Sequence, residues 1–363
     1  MTTVGAWRQI RVAASIALAL AFCSCSTRPI QGVLVANAQS IAGTSRVTIL
    51  AATTRGRASD DAGAMFDSSD QAPALSYAAI QVSIPPDEVR KIGEVQWPTT
   101  VPGDPAKDFV TVSADYLDQK SFNTTLSRTI KQTGRRNVLI FIHGFNNRFD
   151  DAVYRFAQIV HDSKAPGIPV VFSWPSRGVV SLAAYRSDRQ SADNSHEALA
   201  QLLRSLAANP DVKEITILAH SMGSWLTLQA LKPGQGGRLS PKIRNILFVA
   251  PDIATDDFQK WLQQVGKPRP RIALFVSEDD QALKLSRSIW GGVRRLGDAD
   301  PEEEPYRSEF ASNGVFVFDL TSLKGNAHSR AFDDVQTVMG MIEQRLAEGQ
   351  PMNESRQMVN ANE

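Results

Sequence analysis

The residues best placed to do chemistry lie around one serine. A short apolar run, Ile215-Thr216-Ile217-Leu218, leads into Ala219-His220-Ser221-Met222-Gly223, and Trp225-Leu226-Thr227-Leu228-Gln229-Ala230-Leu231 follows at helical spacing. Strand, sharp turn and helix in that order put a hydroxyl at the apex, where backbone strain can lift it clear of a sheet as a nucleophile. Strand and helix pass close together there, so small residues are needed on both sides. Gly223 supplies one and Ala219 stands at the other. The competing reading makes Ser221 a helix N-cap, a position that serine favours. A hydroxyl is a poor nucleophile without a base, and the base needs an acid to orient it. The nucleophilic reading therefore requires an imidazole and a carboxylate elsewhere in the chain.

There are five histidines. His328 follows the strand-like run Val315-Phe316-Val317-Phe318 and a polar loop. His143 follows another such run, Asn137-Val138-Leu139-Ile140-Phe141-Ile142, and opens His143-Gly144-Phe145-Asn146-Asn147. It is expected to brace its loop by hydrogen bonding rather than to act as the base. His220 sits beside the nucleophile and reads as a pocket wall or packing group. His161 ends a surface helix, and His196 lies on the helix that carries Leu199, Leu202, Leu203 and Leu206. None has metal-ligand spacing, and no phosphate- or dinucleotide-binding glycine pattern follows a strand, so neither metal nor cofactor is expected. Candidate acids are Asp252, which ends Ala250-Pro251-Asp252, and Glu278, Asp279 and Asp280, which follow Ile272-Ala273-Leu274-Phe275-Val276-Ser277. The acids not used for orientation would cap helices or sit in charged loops.

Around these residues the pattern is one of alternation. From Val138 onward, strands centred on Phe141, Val171, Ile217, Phe248, Phe275 and Phe316 alternate with helices centred on Phe156, Leu203, Leu228, Phe258 and Leu285. Ala331, Val335, Val338, Ile342 and Leu346 recur at helical spacing in a last helix. Such alternation implies an α/β fold, a mostly parallel sheet with helices on both faces. Upstream, Arg46–Thr53 and Ala78–Ile84 read as strands, Thr54–Ala74 as a loop rich in Gly, Ser and Asp, and Gly93–Phe109 as irregular. Asp298–Pro305 reads as an acidic surface loop.

Several motifs together resemble a bacterial family of α/β-hydrolases of unknown function, described as esterase- or lipase-like. They are His143-Gly144-Phe145-Asn146, Phe172-Ser173-Trp174-Pro175-Ser176, Ala219-His220-Ser221-Met222-Gly223, Ala250-Pro251-Asp252, Asp279-Asp280-Gln281-Ala282-Leu283 and His328-Ser329. The resemblance spans roughly Arg46 to Leu346. It implies a hydrolase fold whose triad follows the order Ser, acid, His. His328, the one histidine after Ser221, is then the base. The family's strand-end pattern favours Asp280 as the acid, with Asp279 and Asp252 as alternatives. Backbone N–H groups of Met222 and Phe145 are the implied oxyanion donors. His143, Asn146, Trp174 and His220 are candidate pocket residues. Tyr185, Arg186 and Asp188 could line the pocket, but bracing of a loop is the favoured role.

The N-terminus reads as an export signal: Arg8 and Arg11, then an apolar stretch from Val12 to Phe22, too short to span a bilayer comfortably. Phe22-Cys23-Ser24-Cys25 resembles a bacterial lipoprotein signal, with Cys25 lipidated; ordinary cleavage nearby or an uncleaved anchor are the alternatives. The organisation expected is a signal peptide over 1–24, a tether over 25–45, a catalytic domain over 46–348 and a polar tail over 349–363. The product would be an envelope lipoprotein held at the membrane by its anchor, or a periplasmic or secreted soluble protein. Removing Arg8 and Arg11 leaves 37 basic against 38 acidic residues, so no basic face for nucleic acid is implied. The activity expected is cleavage of small-molecule or lipid-like esters through an acyl-enzyme. The alternatives are amide or peptide cleavage or acyl transfer by the same triad, or a non-catalytic envelope binding module.

Overall fold

The computed structural model of the chain describes residues 32–59, 63–233, 239–334 and 338. The expected signal peptide, Cys25, the tail, and Val335, Ile342 and Leu346 of the last apolar stripe lie outside the described residues.

From residue 137 strands and helices alternate as expected: β4 (Asn137–Ile142), α2 (Phe149–Ser163), β5 (Ile168–Ser173), α3 (Leu182–Ala208), β6 (Glu214–His220), α4 (Met222–Ala230), β7 (Ile243–Val249), α5 (Thr255–Val265), β8 (Arg271–Val276), α6 (Gln281–Ile289), α7 (Tyr306–Asn313), β9 (Val315–Asp319) and a short α8 (Arg330–Asp333). Before them come β1 (Ser45–Arg57), β2 (Phe66–Ile84), β3 (Val110–Leu117) and α1 (Gln119–Thr133). All nine strands described join one sheet in the order β3-β2-β1-β5-β4-β6-β7-β8-β9. The pairs β3/β2 and β2/β1 are antiparallel, and every pair from β1/β5 to β8/β9 is parallel.

The period of two along each strand divides the core. On β4, Val138, Ile140 and Ile142 pack with the apolar faces of α1, α3, α4 and α5, whereas Leu139 and Phe141 pack with α2 and Phe332. A parallel sheet covered on both faces is buried on both, which is why its strands read as unbroken apolar runs. It also gathers the strands' carboxyl ends on one edge, where sites form in open α/β sheets.

Three expectations need correction. Thr54–Ala74 is no simple loop: Thr54–Arg57 extends β1 and Phe66–Ala74 belongs to β2. The Ser, Asp and Gly residues there have low strand preference, but pairing with β1 through two register shifts outweighs it. The tether is not loose throughout, because Val33 and Leu34 are buried and the Val33 carbonyl accepts hydrogen bonds from Thr111 Oγ1 at 3.0 Å and Tyr154 Oη at 2.8 Å. Finally, β3, α1 and α7 are additional to the expected elements. Helix α1 is amphipathic, with Phe122, Leu126 and Ile130 four residues apart, an Asp118 cap and Gly134 in the left-handed region at its end.

Candidate active site

Ser221 stands between β6 and α4 with φ 51° and ψ −121°, a left-handed backbone that costs a residue with a Cβ free energy. Its side chain makes no cap hydrogen bond to α4, which removes the helix-cap reading. Neighbours hold the strained turn. The Ser221 N–H donates to the Val249 carbonyl at 2.9 Å, and its carbonyl accepts from Ser224 N–H at 3.0 Å and Asp252 N–H at 3.2 Å. A Cβ on Gly223 would lie 2.3 Å from the His143 carbonyl oxygen, so only glycine lets α4 start this close to the end of β4.

The three candidate aspartates have different partners. Asp280 caps α6: its Oδ1 accepts from Leu283 N–H at 3.0 Å, while Oδ2 lies 2.7 Å from His328 Nδ1. Asp279 makes a two-pronged ion pair with Arg330, at 2.7 and 2.6 Å. Asp252 is buried; its Oδ2 accepts from Tyr185 Oη at 2.5 Å and its Oδ1 from Ser286 Oγ at 2.6 Å, with Arg295 Nε 3.4 Å from Oδ1. The histidine therefore meets Asp280.

Charges follow contacts. Burial pulls the His328 imidazole down, but the charge and hydrogen bond of Asp280, with a smaller contribution from Asp252, outweigh it and leave the imidazole above its ordinary 6.5. Burial pushes the Asp280 carboxyl up, and His328 together with the N–H groups at the start of α6 more than reverses that. His220 behaves differently. It donates from Nε2 to the His328 carbonyl at 3.0 Å, and burial, then the charge of His328, lowers it to about 3. It is thus a neutral prop under the His328 loop.

Ser221, His328, Phe145, Asn146 and His220 line one cavity of about 190 Å³, with apolar walls from Leu182, Leu285, Ile289 and Phe332. Met222 is buried behind Ser221, and as first residue of α4 its N–H is one that a helix leaves without an internal partner. His143 and Trp174, both candidate pocket residues, do not line the cavity. They are fully buried beneath it, stacked with centroids 5.0 Å apart, and Trp174 Nε1–H donates to the His143 carbonyl at 2.9 Å. Tyr185 lines the cavity, Asp188 braces Ser176 and the Arg177 N–H at 2.5 and 3.1 Å, and Arg186 is exposed.

Beneath the cavity runs a relay that the sequence reading missed. Arg55, buried on β1, donates from Nε to Ser173 Oγ at 2.8 Å. Ser173 Oγ–H is then free to donate to His143 Nε2 at 3.1 Å, and His143 Nδ1–H donates to the Gly144 carbonyl at 2.9 Å. Burial, then the positive charge of Arg55, holds His143 well below its ordinary value, consistent with a neutral ring that accepts at one nitrogen and donates at the other. The Asn147 side-chain amide also donates to the Gly144 carbonyl, at 3.3 Å. Because a peptide bond is planar and trans, fixing the Gly144 carbonyl points the Phe145 N–H the opposite way. Hydrogen bonds in series polarise one another, so the Arg55 charge strengthens that N–H as a donor. Burial lowers the Arg55 guanidinium to about 10, with Asp188 the largest opposing charge, so it stays protonated at neutral pH. The available signal was a lone arginine that ends the apolar run of β1, a run buried from Ile49 to Arg55.

Among the described residues no three His, Cys, Asp or Glu side chains gather into a group able to hold a metal ion. A parallel sheet with a strained serine after one central strand and a carboxylate–imidazole pair after two others defines an alpha/beta hydrolase. The chain belongs to the family described as alpha/beta hydrolase of unknown function (DUF900), whose sequence profile matches residues 118–345. An alignment of 148 residues at 28% identity relates it to the uncharacterized protein alr1448 of Nostoc sp. (strain PCC 7120) and covers 34% of this chain. The chain spans 38% of that relative's length. Among solved structures, a lipase-esterase related protein from Clostridium acetobutylicum is similar over 58% of this chain and 95% of its own, with TM-score 0.35 and 12% identity. The Pyrococcus furiosus esterase Pf2001 is similar over 60% and 84%, with TM-score 0.33 and 11% identity. Phospholipase PlaB from Legionella pneumophila is similar over 50% and 38%, with TM-score 0.24 and 14% identity.

Proposed function

We propose that this chain is a serine hydrolase of carboxylic esters that works through an acyl-enzyme. The observation that carries the reading is the 2.7 Å contact between Asp280 Oδ2 and His328 Nδ1, which commits one ring nitrogen to the acid and leaves Nε2 for a proton from Ser221. Ser221 Oγ attacks the acyl carbon as His328 takes its proton. The oxyanion that forms is met by the Met222 and Phe145 N–H groups. His328 then gives the proton to the departing alkoxide, and the alcohol leaves. A water deprotonated by His328 attacks the acyl-enzyme, and Ser221 recovers its proton as the acid is released. The apolar cavity walls suit the hydrocarbon part of an ester better than a charged peptide.

Labelling with a fluorophosphonate probe tests the chemistry. The native chain is expected to take the label and Ser221→Ala to lose it, with turnover falling at least about ten-thousandfold. No label on the native folded protein refutes the reading, and label retained on the alanine variant assigns the wrong serine. Faster turnover of an amide than of its matched ester would move the substrate class to amides. As for location, the export signal read at the N-terminus supports a lipid anchor at Cys25. Palmitate incorporation that survives Cys25→Ser would refute it.

A further inference from the structure

The outer wall of the cavity runs out to solvent as a rim both apolar and cationic. Leu182 of α3, and Leu285 and Ile289 of α6, line the cavity itself. Just beyond them on the same two segments stand Val179 and Val180, 54% and 38% exposed, and Trp290 and Val293, 38% and 45% exposed. These are four of the nine large hydrophobic side chains exposed among the described residues. Val179 and Val180 lie just before Leu182, and Trp290 and Val293 just after Ile289, two residues that line the cavity, which differs from the scattered single exposures that need no explanation. The two segments are joined: Trp290 Nε1–H donates to Tyr185 Oη at 3.3 Å, and the Arg189 guanidinium lies 5.3 Å from the Trp290 ring.

The charge on this rim has one sign. Between Arg177 and Arg189 the sole acid is Asp188, which is buried, and between Gln281 and Arg295 there is none. Arg177, Arg186 and Lys284 are exposed and enter no ion pair among the described residues. Of the acids near it, Glu303 is engaged by Arg294 and Asp193 by Trp225 and Arg189. A tryptophan with its N–H satisfied, flanked by valines and free cations, fits the boundary between acyl chains and anionic headgroups.

We propose that this rim docks on an anionic lipid bilayer. Resting on the hydrolase reading above, its consequence is that long-chain esters pass from the bilayer straight into the cavity, along the apolar strip from Trp290 and Val180 to Leu182 and Ile289.

Hydrogen–deuterium exchange on the full chain tests the docking. The chain is compared alone, with phosphatidylcholine vesicles, and with vesicles that also contain phosphatidylglycerol. Slower exchange over 177–182 and 289–295 is expected only with phosphatidylglycerol present, and it should weaken as salt is added. Arg177→Glu with Lys284→Glu is expected to lower vesicle affinity about tenfold or more. Val179→Asp with Val293→Asp should remove the protection while leaving turnover of a short soluble ester unchanged. Sedimentation with vesicles while both segments exchange as in the free protein would place binding elsewhere and overturn the proposal. Equal protection on neutral vesicles overturns the choice of lipid, and no protection on any vesicle overturns the docking itself. Exchange needs no turnover, so Ser221→Ala should give the same protection. A chain that docks but takes no fluorophosphonate would sink the chemistry and keep the docking.

Discussion

Asp252 and Asp280 end neighbouring strands of one sheet and are equally hidden, at 1% and 0% exposure. Only one of them reaches a histidine. Asp252 accepts one hydrogen bond on each oxygen, from Tyr185 and Ser286, and has the Arg295 guanidinium beside it as an ion-pair partner. Asp280 uses one oxygen to cap a helix and has the other for His328. Burial alone therefore does not mark an orienting acid. The number of local donors claiming its oxygens does. The saturated carboxylate ties α3 and α6 to the end of β7, and the half-claimed one is available for chemistry.

Substitutions can break or sharpen that contrast. Asp280→Asn should have the largest effect, a fall in turnover of about ten-thousandfold at neutral pH, because the amide holds the imidazole in the wrong tautomer. A histidine base works only when neutral, and Asp280 raises the pKa of His328. Activity of the native enzyme should therefore rise with pH through a value above 6.5, and any residual activity of Asp280→Asn should rise through a lower one. A pH–rate profile of both checks this, and an unmoved limb would remove Asp280 from its role.

Ser173→Ala comes next, at about tenfold in kcat with KM little changed, because it cuts the Arg55 relay at its neutral link. Steady-state kinetics with a soluble ester measures the split. Asp252→Asn should reverse the order of effects. Activity should stay within about threefold, while stability drops by roughly 2–3 kcal/mol in denaturant melts, because buried Arg295 loses its counter-charge. If it costs as much activity as Asp280→Asn, the contrast between the two acids fails. Asp279→Asn should do least, under about 1 kcal/mol, since the Asp279 carboxylate is half exposed and the buried Arg330 guanidinium keeps the Leu320 and Thr321 carbonyls. Thermal melts of the three variants side by side rank them.

The sequence made the alternating half of the fold legible because β4 to β9 are short apolar runs closed by turn residues, and the elbow because strand, serine and glycine fall in order. Asp280 and His328 could be paired only through the family's usual order, since nothing local to either residue names the other across 48 positions. The extended hairpin was hidden by composition. Its Ser, Asp and Gly residues look like loop, and only the partner strand supplies the hydrogen bonds that make them sheet. The displacement of His143 and Trp174 from cavity wall to floor was equally out of reach, because residues next to one another at strand ends can face either side of a loop. Arg55 was the largest omission. An arginine following Thr53-Thr54 reads as the edge of a surface turn until β5 and the Gly144 loop are seen to close over it.

That arginine has a bearing on what counts as the minimal enzyme. The family profile begins at residue 118, yet the guanidinium that fills the floor of the site comes from 63 positions earlier in the chain. Trimming the protein to the matched segment would leave the carbonyls of Asn147 and Ser176 and the hydroxyl of Ser173 facing an empty space instead of a cation. The leading strands are thus part of the apparatus, and any transplant or shortened version must carry them along.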